Sequence, residues 1–157
     1  MATTGKYAAE TSVPVDRSKA EIEKILKKYG ASRFMYGWEG DQVVIGFEIS
    51  EKRYRIHVPM PVAEEFGYTP GGRPRNGKTA IIAALEQAER QRWRALALYL
   101  KAVLEAAEIG IKSIENSLLS DLVLMNNATV GAWLVPQIEN SYRMGVMPPM
   151  LPGGNYE

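Results

Sequence analysis

Gly72, Arg73, Pro74, Arg75, Asn76, Gly77, Lys78 and Thr79 spell G-x-x-x-x-G-K-[ST], the pattern whose glycine-rich backbone and lysine cradle nucleotide phosphates. That chemistry requires a buried strand ending at the first glycine, so that backbone N–H groups and a helix N-terminus converge on the anion. Here the last segment with strand-like alternation ends at Met60, about a dozen residues too early. Pro74 removes a backbone donor from the cradle, and no apolar strand ending in aspartate offers a magnesium partner. The octapeptide therefore reads as a basic loop, with Thr79 or Asn76 capping the helix that follows.

The loop opens a cationic stretch. Residues 66–101 hold Arg73, Arg75, Lys78, Arg90, Arg92, Arg94 and Lys101 against Glu86 and Glu89, a balance of +5, while 1–65 is neutral and 102–157 carries −4. The formal total of +1 conceals this polarity. A basic loop running into a basic helix suits a polyanion. A single-strand binder needs cations that track the phosphate backbone and planar groups for the bases. Arg73, Arg75, Lys78, Arg90 and Arg94 can supply the first. Tyr68, Tyr54 or Trp38 can supply the second, although alternation puts Trp38 and Tyr54 on the apolar face of a sheet and leaves Tyr68 alone in a loop. Arg53, Arg55, Arg33 and His57 fall on the opposite face and read either as a solvated surface or as an extension of the basic one. Glu86 and Glu89, one helical turn away, are the competing partners for Arg90 and Arg94.

Other chemistry is poorly provided for. Cysteine is absent, which excludes disulfide scaffolds and thiolate metal sites. His57 is the single histidine, and no Ser, Asp or Glu stands at a spacing that would orient it as a base. Neither a carboxylate pair nor a nucleophile with its base is legible, so the expectation is a non-enzyme without cofactor or metal. No apolar run reaches the length of a membrane span, and the first residues lack a secretory core, so a cytoplasmic location with no membrane partner is expected.

A chain of 157 residues, 46% apolar, is enough for one domain. The expected organisation is a flexible tail over 1–13, one α+β domain over 14–145 with an irregular basic loop at 61–78, and an extended apolar tail over 146–157. Ser18 and Glu21 suggest a capping box for an amphipathic helix carrying Ile22, Ile25, Leu26 and Tyr29, stopped by Gly30. The period then changes to two. Phe34, Tyr36 and Trp38, then Val43, Ile45, Phe47 and Ile49, then Tyr54, Ile56, Val58 and Met60 mark a three-stranded antiparallel meander with turns at Glu39-Gly40-Asp41 and Ser50-Glu51-Lys52. A long helix follows, with Trp93, Ala97, Leu100, Leu104, Ala107, Ile111, Ile114 and Leu118 as a heptad-like seam, apolar enough around residues 95–104 to be buried on two sides. Gly110 bends or ends it. Leu122 to Val130 reads as a small hairpin turning at Asn126-Asn127, and Thr129 caps a last helix that contains Pro136 and stops at Gly145.

The segments TSVPV (11–15), RWRAL (92–96), KAVLEAAEIGI (101–111), TVGAWLVPQIE (129–139) and MPPMLP (147–152) resemble an uncharacterised protein family of bacteriophages, prophages and their bacterial hosts. The resemblance covers most of the chain from Thr11 to Pro152. It implies a mobile-element origin and supplies no catalytic residue; those relatives do not keep the Gly-Lys-Thr ending of the loop. In architecture alone, three antiparallel strands followed by a long helix is similar to the core of single-strand annealing proteins, which oligomerise and hold single-stranded DNA in a basic groove. The expected function is thus a phage accessory protein of replication or recombination that binds single-stranded nucleic acid and forms a homo-oligomer. The alternative is a homo-oligomeric interaction or sequestering protein that captures a host protein or an anionic metabolite and has no nucleic-acid affinity.

Overall fold

The computed structural model describes residues 7–146. Helix α1 spans Val15–Lys28 and opens on Pro14 rather than on a capping serine. Ser18 lies inside the helix, wholly buried, and its Oγ finds no hydrogen-bond partner among the described residues. The capping-box expectation fails because the helix starts three residues before Ser18, and Glu21, a full turn further in, reaches across to Arg94.

Strands β1 (Arg33–Glu39), β2 (Gln42–Ile49) and β3 (Lys52–Pro59) form an antiparallel sheet in the order β1-β2-β3. Both turns have two residues. Gly40, with φ of 58°, occupies the first position of its turn, where only glycine is free of steric cost. Ser50 and Glu51 instead hold φ of 51° and 61° without a glycine, because the right-handed twist of the strands demands that turn geometry.

Ile22 and Leu26 of α1, the alternate residues Val43, Ile45, Phe47 and Ile49 of β2, and Tyr54 and Ile56 of β3 form the core on one face of the sheet. Each contributes on the order of 1.5–3 kcal/mol by leaving water. The strand α+β order is as the alternation implies, but β1 is an edge. Tyr36 is 50% and Trp38 67% exposed, although both point to the helix-bearing side. Trp38 is therefore no core residue.

Helix α2, Lys78–Glu108, runs 31 residues, about 46 Å. Its cap is Gly77, with φ of 93°, and neither Asn76 nor Thr79 caps it. The chain enters it from a 3-10 turn at Ala63–Phe66 and a tight loop in which Tyr68 bridges Pro74. No strand leads into the glycine-rich segment, so the phosphate-loop geometry is absent there. Trp93, Leu96, Ala97, Leu100 and Leu104 are buried, while Tyr99 is exposed, so one side of α2 is covered and the other meets solvent. Gly110, with φ of 78°, follows the helix end and breaks the seam. Ile111 is consequently exposed, and Leu118 rejoins the core from the next element.

That element is the short helix α3, Ile114–Ser117, capped by the Ser113 hydroxyl. A 3-10 turn at Leu119–Asp121 follows, and then a minimal hairpin in which Val123 bridges Thr129 and Asn127 takes φ of 66°. Helix α4, Val130–Met144, is capped by Thr129 Oγ1, 3.2 Å from the Ala132 amide, and stops at Gly145 in the left-handed conformation. None of its residues is buried, and it leans on the Leu119–Asp121 turn, where a Cβ at Gly131 would stand 3.0 Å from the Ser120 carbonyl oxygen. Residues 7–13, expected as a tail, lie against α2: Gln87 Nε2 donates to the Ala9 and Thr11 carbonyls. The remainder of that tail, 1–6, and the carboxyl-terminal tail from 147 lie outside the described residues. Among residues 7–146, no helix is long and apolar enough to cross a membrane.

Candidate functional site

The cations singled out by charge divide into three places. At the amino-terminal end of α2, Arg73 and Lys78 have no side-chain partner among the described residues, and Tyr68 is 67% exposed beside them in sequence. Arg75 is occupied by its own loop: Nη1 donates to the Phe66 carbonyl at 3.1 Å and to the Tyr68 carbonyl, and the guanidinium lies over the Phe66 ring. It closes the loop and is not a free cation.

On the sheet face turned away from the helices stand Arg53 and Arg55, as alternation requires. The register sets Arg33, Glu48 and Arg53 in one row and Met35, Gly46 and Arg55 in the next. Together with Val123 and Asn127 they line a cleft of about 300 Å³. Its charge is partly compensated. Glu48 lies 3.5 Å from Arg33, and Arg55 Nη2 donates to the Asn127 carbonyl at 2.5 Å. Arg53 is exposed, like Arg33, and is the arginine of the three whose side chain makes no hydrogen bond or ion pair among the described residues. His57 shares this face and lies near enough to the carboxyl of Asp121 to favour its ionised form. Sequence spacing could not show that neighbour, because 64 residues separate the two.

The third place is the groove between α1 and α2. Arg17, Lys24 and Lys28 from α1 face Arg94 and Lys101 from α2 across a cleft of about 680 Å³, with Glu21 and Glu105 as the acids among the lining residues. The spacing explains the assembly. Steps of seven and four on α1 and of seven on α2 keep each set on one helix face, and the buried Ile22, Leu26, Ala97 and Leu100 bring the two faces together. Arg94 is held by Glu21 at 2.5 Å and not by Glu89 or Glu86. At the far end, Lys28 Nζ donates to the Tyr29 hydroxyl at 3.3 Å, and that hydroxyl donates to Glu108 at 2.9 Å, tying α1 to α2. The contact with Tyr29 holds the Lys28 ammonium above its ordinary pKa, so it stays charged. Desolvation and the Glu108 acceptor raise the Tyr29 hydroxyl in turn, so it stays neutral.

Of the expected site residues, only Arg94 belongs to this groove. Arg90, one turn before Arg94 on α2, is taken up outside the groove, donating from Nε and Nη2 to Gln87 Oε1 at 3.1 and 2.6 Å, next to the docked residues 9–11. Lys78 sits about 24 Å along α2 from Arg94. The loop, the sheet face and the groove are therefore separate cationic surfaces rather than one. No family model, curated protein or solved structure matches the chain.

Proposed function

We propose that this protein is a non-enzymatic, single-stranded nucleic-acid-binding accessory protein of a mobile genetic element, and that the phosphate backbone lies along the α1–α2 groove. The observation that carries the reading is the set of five cations against two carboxylates in one elongated cleft. Arg17, Lys24 and Lys101 have no side-chain partner among the described residues, which leaves them available to phosphate. Mobile-element origin rests on the sequence resemblance alone.

Labelled single- and double-stranded oligonucleotides titrated at two salt concentrations test it. Single-strand binding is expected to weaken steeply with salt, and Lys24→Ala/Lys101→Ala to lower the logarithmic salt slope by about 1.4, the share of two phosphate contacts. Arg73→Ala/Lys78→Ala is the comparison for the loop. An unchanged slope in the Lys24→Ala/Lys101→Ala variant removes the groove from the proposal. A second reading, an interaction or sequestering protein without nucleic-acid affinity, is favoured by the exposed Trp133, Val135, Ile138 and Tyr142 of α4. It expects no oligonucleotide binding even at low salt.

A further inference from the structure

Strand β1 forms the outer edge of the sheet, and among the described residues nothing pairs with its free side. Such an edge is a template for another strand unless proline, a bulge or central charges block it. Here the sequence is Arg-Phe-Met-Tyr-Gly-Trp-Glu, with neither proline nor an interior charge. Met35 is 70% exposed as well as Tyr36 and Trp38, an unusual load of apolar surface for a strand in water.

The backbone phase can be read from the turn. A two-residue turn closes on a hydrogen-bonded pair, here Glu39 with Gln42, and such pairs recur at every second residue. Arg33, Met35, Gly37 and Glu39 therefore bond to β2. Phe34, Tyr36 and Trp38 aim their N–H and C=O groups outward.

The strand is also complementary to itself. Laid antiparallel on a second copy about Tyr36, it sets Tyr36 opposite Tyr36, Phe34 opposite Trp38, Met35 opposite Gly37, and Arg33 opposite Glu39. Every outward-aimed backbone group then meets a partner, giving six hydrogen bonds around the two-fold. The aromatic pairs fall on the helix-bearing side of the sheet. On the other side lie two Arg–Glu pairs and two methionines, each methionine beside a glycine that leaves it room. Cross-strand pairs of these kinds are the ones that stabilise sheets. Arg33 is 78% exposed beyond its contact with Glu48, and Glu39 is exposed, so both can turn to the partner.

We infer that a second copy of this chain docks on the β1 edge, making an isologous dimer with a continuous six-stranded sheet in the register centred on Tyr36. The two-fold axis stands perpendicular to the sheet, so both helical layers and both α1–α2 grooves lie on the same side. This holds whether or not the grooves carry nucleic acid.

Sedimentation velocity of the full chain over a range of concentrations is the first measurement, and a monomer–dimer equilibrium is expected. Glu39→Arg places like charges opposite Arg33 twice per dimer and should raise the dissociation constant roughly tenfold or more. Adding Arg33→Glu should restore it, with circular dichroism confirming the fold in each variant. Register is tested by trapping, which the absence of cysteine makes clean. Under mild oxidation Tyr36→Cys should yield a disulfide-linked dimer. Trp38→Cys should not, since its two-fold mate lies four residues away along the strand, beyond disulfide reach. A chain that stays monomeric, a dimer indifferent to Glu39→Arg, or linkage through Trp38→Cys rather than Tyr36→Cys overturns the inference.

Discussion

Asp121 shows how one side chain can work against the fold that holds it. Burial raises its carboxyl above the ordinary aspartate pKa, and the Ser120 hydroxyl and the charge of His57 only partly offset this. A group whose folded pKa is raised favours the folded state fully at pH below its unfolded pKa and loses that contribution as pH rises through the folded value. At neutral pH the ionised Asp121 is thus a net cost. Asp121→Asn should melt at a higher temperature than the parent protein at pH 7, and the difference should close as pH falls through the aspartate range; calorimetry at several pH values checks it. The groove cations of α1 teach a different lesson about single residues. Arg17, Lys24 and Lys28 were visible in the sequence with helical spacing, yet summing charge over residues 1–65 cancelled them against ten acids, of which Glu21 alone lines the groove. Counting by helix face rather than by segment would have found them. Arg75 and Arg55 were equally visible, but nothing in the sequence reveals that backbone carbonyls of a loop will take up a guanidinium.

At the scale of elements, the helices and strands were legible because each carries a clean period and a stop: Gly30, Gly40, Gly110 and Gly145 all adopt positive φ where they end or turn an element. Caps were less legible, since Ser18 and Thr79 satisfy the cap pattern in composition while packing and the preceding Pro14 and Gly77 fix the actual starts. Alternation gave the facing of β1 but could not give its coverage, which depends on how far the helices extend over the sheet. The β2–β3 turn supplies an element-scale prediction. Ser50 and Glu51 both occupy the left-handed region, where a side chain costs roughly 1–2 kcal/mol per residue. Ser50→Asn/Glu51→Gly supplies the residues that this turn prefers and should stabilise by about 1 kcal/mol, raising Tm by roughly 2–4 °C in a thermal melt.

Over the whole molecule, stability is distributed unevenly. The core joins α1, the sheet and the carboxyl-terminal half of α2, whereas α4 buries none of its side chains and is attached through one turn. Few buried apolar contacts mean a low local opening free energy. Native-state hydrogen exchange should accordingly show α4 amides exchanging well before those of residues 93–104 in α2, and comparable protection of the two would mean that α4 is covered in solution. What the summed charge could not convey was that the fold would split one cationic stretch among a helix end, a sheet face and an interhelical cleft.

The sheet carries helices on one side only, so its interior-facing and outward-facing residues answer to different demands. Val44, Glu48, Arg53 and His57 can be exchanged without opening a void among the packed side chains. That surface is free to drift, and a lineage could acquire a new specificity there while inheriting an unaltered scaffold.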